Sequence, residues 1–176
     1  MVAALRRRFG PAADTVYVFS AGIKGPAGAP MQEMAAAELR KRSVEPGRFT
    51  SRLLRIEDAR HAHLVLTATR RQRDEVARLD PGILRAKSFT WRELAWLLDG
   101  VPPGELAGRS PIEQIAGLPA FVAERRGYLR PPAPEALDVA DPMGGSRKDY
   151  RLAAAQIDEA ITAVIAALGP ASPPGR

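Results

Sequence analysis

Apolar residues fall at two different spacings along this chain, and the alternation between them sets out an order of elements. Ala, Leu and Phe positions give residues 2–9 a helical stripe beside the basic run Arg6, Arg7 and Arg8. Gly10-Pro11 ends that helix, because proline cannot continue the hydrogen-bond ladder. Residues 15–19, TVYVF, are β-branched and aromatic between Asp14 and Ala21-Gly22, and predict a buried strand. A Gly/Pro loop over residues 22–30 leads through Pro30 into a helix over 31–42, rich in strong helix formers. Glu45-Pro46-Gly47 is a turn, and residues 56–60 predict a short helix. Residues 63–68, HLVLTA, form a second strand, short and apolar as parallel-sheet strands are. A charged amphipathic helix over 70–79 stops at Asp80-Pro81. A third strand follows over 85–89, and Thr90 caps a helix running through Leu98. Residues 101–111 are loop; residues 112–126 are helical with a break near Gly117 and Pro119. A proline-rich arm over 129–141 then leads to the clearest helix, residues 148–168. Leu152, Ile157, Ile161, Val164, Ile165 and Leu168 share one face of it. Gly169 ends that helix, and residues 169–176 predict a disordered tail. Strands alternating with helices imply an α/β domain of three layers around a parallel sheet.

Composition narrows the chemistry. A chain of 176 residues fits one domain, which at that size buries about 70% of its unfolded surface. The bias toward Ala, Arg, Gly and Pro suits a GC-rich bacterial genome. The absence of cysteine removes disulfides, thiol redox chemistry and cysteine-ligated metals. His61 and His63 are too few for a histidine-rich metal site, and they read as packing or capping residues; no metal or cofactor is implied. The net charge of +6 is spread along the chain among Asp and Glu, without a recognition motif or stacking aromatics. It therefore reads as a solvated basic surface and not as a nucleic-acid site. Arg70, Arg71 and Arg73 likewise read as a solvated helix face and not as a phosphopeptide patch. Trp91 and Trp96 lie five apart, off any common stripe, so one packs in the core and the other covers a surface edge. No apolar run ahead of a cleavage site marks a signal peptide, and no stretch approaches about 18 apolar residues. The expected place is the cytoplasm, with no membrane contact.

Residues 138–146, DVADPMGGS, read as a loop carrying a catalytic acid: Asp138 and Asp141 stand three apart, and the second is fixed by Pro142 ahead of a glycine pair. Several segments, taken in order, resemble the low-molecular-weight protein tyrosine phosphatases of the bacterial type. Ser20-Ala21-Gly22 with Gly28-Ala29-Pro30-Met31 is similar to that family's second strand, loop and second helix. Residues 63–70, HLVLTATR, with Gln72-Arg73, are similar to its third strand and the helix after it. Residues 88–95, SFTWRELA, resemble the segment after its fourth strand. Asp138 to Pro142, followed by Tyr150 and the last helix, resemble its general-acid loop and C-terminal helix. The order and spacing of these segments across residues 1–168 carry the resemblance. It implies a phosphotyrosine protein phosphatase I-like fold, with Asp141 as the general acid and Asp138 as a supporting loop residue. The implied substrate is a phosphotyrosine protein or another phosphomonoester.

The family's reaction runs on a Cys-five residues-Arg loop between the first strand and first helix. Backbone N–H groups at a helix start form an anion nest, and the arginine forks onto phosphate oxygens. The same field yields a thiolate that attacks phosphorus, and the acid protonates the leaving oxygen. Here residues 1–8 match the family's first helix, so the first central strand, nucleophile and phosphate-binding arginine are missing from the chain. Arg109-Ser110-Pro111 imitates the end of such a loop, but the cysteine position is Pro103 and no apolar strand precedes it. That match is read as coincidence. Three accounts stand. The first is a phosphatase whose frame is opened late, N-terminally truncated by roughly 15–20 residues. The second is a non-catalytic pseudophosphatase that binds a protein partner at the open sheet edge. The third is a related activity such as arsenate reduction, against which the lack of cysteine counts. In each, this polypeptide is inactive as it stands.

Overall fold

The computed structural model describes residues 1–107 and 110–169. Helix α1, Val2–Phe9, runs into a 3₁₀ turn, Gly10–Thr15, and buries Ala4, Leu5 and Phe9. Helices α2, Glu33–Arg40, and α3, Ile56–His61, follow. Strand β1, Val65–Thr67, leads to α4, Arg70–Leu79, and to the short α5, Pro81–Leu84. Strand β2, Ser88–Thr90, is followed at once by α6, Trp91–Leu97. Helix α7, Pro111–Arg125, and helix α8, Arg147–Ala167, complete the order, with a 3₁₀ turn at Pro134–Leu137 between them.

The two strands pair in parallel with Val65 opposite Ser88, Leu66 opposite Phe89 and Thr67 opposite Thr90. Strand periodicity then separates two layers of side chains. Leu66 and Phe89 face the main core, built from Leu5, Leu94, Leu97, Leu118, Val122 and Val164. Val65 packs instead against a smaller cluster of Ala59, Val76 and Leu84, from α3, α4 and α5. The sheet is therefore sandwiched between helices, the three-layer α/β arrangement expected.

Residues 15–19 do not form the expected strand. Thr15 closes the 3₁₀ turn, and the segment runs out as coil with Tyr17 84% exposed. Tyr17 and Phe19 lean on one another, ring centroids 5.6 Å apart, and Arg52 stacks over Phe19. The reason is that β-branched and aromatic residues only specify a strand when a neighbour takes up the backbone N–H and C=O groups. Among the described residues β1 pairs with β2 alone, and no strand lies beside residues 15–19. The loop that follows is held by the bridges Gly22–Leu53 and Pro30–Thr50 and by Ser51, whose carbonyl accepts the Gly28 N–H and whose hydroxyl donates to the Pro26 carbonyl.

Two smaller differences have local causes. Pro119 does not break α7; it is buried in a continuous helix, where tertiary packing outweighs the lost backbone bond. In α8 the buried face runs through Tyr150, Ala153, Ala160, Val164 and Ala167, while Leu152 is half exposed. Alanines allow α6 and α2 to lie close against it, and the larger side chains flank that seam. The end of α8 is closed by other parts of the chain: Gly104 donates to the Ala166 carbonyl, Leu106 to Ala167 and the Arg8 guanidinium to Leu168. Trp96 packs against the main core, but both it and Trp91 are partly exposed, so the pair does not divide into one buried and one surface residue. The end of the expected tail, residues 170–176, lies outside the described residues, as does Arg109. No helix among the described residues is long and apolar enough to cross a membrane.

Candidate functional site

The segment bearing both aspartates is laid along the C-terminal ends of the two strands. Thr90, the last residue of β2, donates its hydroxyl to the Leu137 carbonyl at 2.5 Å. Val139 N–H donates to the carbonyl of Ala68, the residue after β1, at 2.8 Å. Val139 is itself buried, so the loop is fastened by its backbone and anchored by one apolar side chain. Ala140 N–H donates to the Gln156 side chain on α8 at 2.9 Å. These bonds fix the path of the loop up to Asp141.

The two aspartates have different surroundings. Asp138 accepts from the Arg70 N–H at 2.7 Å and from its guanidinium at 3.2 Å, so its carboxylate is engaged at the first turn of α4. An acidic group at that helix start also meets the positive end of the helix dipole. Asp138 therefore ties the loop to α4. Asp141 is exposed, and its carboxylate accepts the Met143 N–H at 3.0 Å in a tight Asx turn. Among the described residues it has no ion-pair partner, so one carboxylate oxygen stays available to a bound molecule.

The turn after Asp141 is built for its sequence. Gly145 N–H donates to the Pro142 carbonyl, and Gly144 has φ of +74°. A Cβ at Gly145 would come within 2.7 Å of the Asp149 carboxylate, so the glycine lets the loop close onto α8. Ser146 opens α8 with a capping box: its N–H and hydroxyl both donate to Asp149, at 2.7 and 2.8 Å. Those bonds, the hydroxyl's first, hold the Asp149 carboxyl below its ordinary range.

The remaining candidates are dispersed. His61 bonds through Nδ1 to the Glu57 carbonyl within α3, and His63 is exposed ahead of β1. Arg70 is held by Asp138, Arg71 pairs with Glu75, and Arg73 spans Asp74 and Glu93. The three arginines are thus individually paired and not gathered as one patch. Sequence reasoning missed Thr90 and Gln156 as anchors of the loop. A polar residue on the otherwise apolar seam of α8 was the available signal for Gln156.

No protein-family profile matches the chain, and no curated protein sequence is detectably similar to it. Solved structures are similar in fold. The tyrosine phosphatase AmsI of Erwinia amylovora superposes with a TM-score of 0.62 at 17% identity, over 94% of this chain and 80% of that one. The YwlE arginine phosphatase from Geobacillus stearothermophilus gives 0.60 at 22% identity, over 93% and 80%. Wzb of Vibrio vulnificus, in complex with benzylphosphonate, gives 0.58 at 18% identity, over 91% and 82%. The fold of this chain is thus the one these bacterial phosphatases share.

Proposed function

We propose that this chain is a low-molecular-weight phosphatase scaffold in which Asp141 holds the general-acid position while the cysteine nucleophile that would form the cysteinyl-phosphate is lacking. The observation that carries the reading is the fastening of residues 138–141 across the ends of β1 and β2, in a fold shared with phosphatases. A general acid in this chemistry must reach an oxygen leaving phosphorus, which calls for an exposed carboxyl on a fixed loop. Asp141 meets that description and Asp138 does not, since Arg70 occupies it. The reaction also needs a thiolate, and the chain has no cysteine. Residues 1–176 on their own therefore leave p-nitrophenyl phosphate, phosphotyrosine and phosphoarginine unhydrolysed.

The test is a chimera. A β-strand and a Cys-five residues-Arg loop joined ahead of Met1 should confer turnover of p-nitrophenyl phosphate. Asp141→Asn in that chimera should then lower kcat by about 10²- to 10⁴-fold, the range for a lost general acid. Turnover by the unextended chain, or a chimera whose activity ignores Asp141, rejects the assignment.

A non-catalytic binding role is the second reading, supported by the side of β1 away from β2, which pairs with no strand among the described residues. Val65 and Leu66 are only partly buried, whereas β2 is buried throughout. Tyr17, Phe19, Phe49 and Leu53 are exposed apolar residues in segments that precede β1. A protein partner adding a strand to β1 would protect the Val65–Thr67 amides from hydrogen exchange. Unchanged exchange in a purified complex would reject that mode of binding.

A further inference from the structure

We infer that a basic cleft on the α4–α5 side of the sheet, away from the Asp141 loop, is a binding site for the phosphate group of a small molecule. The cleft has a volume of about 520 Å³ and is lined by Arg73, Arg78, Arg85 and Arg126 against two carboxylates, Asp74 and Glu93. None of residues 138–146 lines it. The carboxylates are already used. Glu93 is buried and clamped by Arg73 at 2.8 Å and Arg126 at 2.6 Å, and Asp74 pairs with Arg73 at 3.0 Å. Among the described residues, Arg78 and Arg85 have no hydrogen-bond or ion-pair partner. They leave the cleft with two uncompensated guanidinium groups.

The second observation is at the cleft's floor. Ser88, the first residue of β2, lines the cleft and is 2% exposed, yet its Oγ has no hydrogen-bond partner. Strand register explains its placement: Ser88 lies opposite Val65 on the α4–α5 face, while Phe89 faces the main core. A buried hydroxyl without a partner is costly to keep. A bound oxyanion removes that cost, because the hydroxyl can donate to one of its oxygens.

The chemistry points to a phosphate-type group for two reasons. Guanidinium forks match tetrahedral oxyanions with two parallel N–H bonds, and they stay charged at any physiological pH. The Arg73–Glu93–Arg126 chain holds the wall rigid, so Arg78 and Arg85 are left as the groups that can turn onto a ligand. A cleft of this volume accepts a phosphate with a modest organic body, and its polar lining disfavours an apolar ligand.

The experiment uses the full chain with inorganic pyrophosphate and glycerol phosphate as separate probes, against sodium chloride at matched ionic strength. Isothermal titration should show saturable, one-to-one binding of at least one probe, and the tighter of the two identifies a free oxyanion or an ester as the preferred source. Arg78→Ala/Arg85→Ala should weaken it about tenfold or more, since two charge-assisted bonds are removed. Both arginines are exposed and unpaired, so the variant keeps its fold. Ser88→Ala should weaken binding about fivefold, the size of one hydrogen bond, while the free protein is no less stable. Arg48→Ala/Arg130→Ala removes the same charge elsewhere on the surface and should leave binding unchanged. Absence of saturable binding, or equal losses in the two double variants, overturns the site.

Discussion

Asp138 and Asp141 are the same residue three positions apart, and their surroundings separate their roles. The Asp138 side chain is 29% exposed and bonds Arg70 through both backbone and guanidinium. Asp138→Ala strips a partner from a helix start and leaves a partly buried arginine unpaired. It should cost about 1–2 kcal/mol, read as a lower urea midpoint with unchanged m-value. Asp141 has only its own turn to hold, so Asp141→Ala should stay within about 0.5 kcal/mol of the parent. Equal losses at both positions would show that the loop is held differently from this arrangement. The spacing of the pair was legible in the sequence. Which one is engaged was not, because the deciding partner, Arg70, is 68 positions away.

Helix starts are set by local chemistry, although of the caps that form only the one at Thr90 is predicted from the sequence. Thr69, Thr90, Ser110 and Ser146 each precede a helix, with Gln72, Glu93, Glu113 and Asp149 at the third helical position, and all four capping boxes form. Thr90 does more than cap α6. It is fully buried, accepts the Glu93 N–H at 2.9 Å and donates to Leu137, joining β2, α6 and the loop bearing Asp138 and Asp141. Thr90→Ala should destabilise by about 2 kcal/mol, the upper range for a lost cap, in thermal or urea unfolding. Thr90→Ser keeps the hydroxyl and should recover most of that loss; failure to do so would assign the effect to the methyl group. Strands were less readable than helices. The segment over 15–19 has good strand composition, but a strand, unlike a helix, borrows its hydrogen bonds from a neighbour.

At the scale of the whole molecule, acid stability follows from carboxylates that the folded chain pairs or hydrogen-bonds. Glu38 is bonded first by Lys41 and then by Arg42, and its carboxyl lies below the ordinary range. Asp58 is lowered by Arg52, and Asp149 by Ser146. A carboxyl with a lowered folded pKa binds fewer protons folded than unfolded. Its contribution is complete above the unfolded value, near pH 4, and disappears as pH falls through the folded value. The melting temperature should therefore hold steady down to about pH 5 and drop below about pH 4. Arg42→Ala should make the drop smaller, because Glu38 then keeps only Lys41 to lower it and that part of the stability is already lost at neutral pH. A drop unchanged in that variant would place the acid sensitivity elsewhere. By itself, the sequence determined most of the helices, the cap at Thr90, the apolar strand within residues 63–68, the absence of a thiol and the loop bearing Asp138 and Asp141, because each is written in residues close together along the chain. The strand expected over 85–89 instead lies at Ser88–Thr90, where it can pair with β1. Only the tertiary structure decided that residues 15–19 stay unpaired, that Arg70 takes Asp138 and that Ser88 faces a cleft of arginines, because each depends on which distant segments pack together.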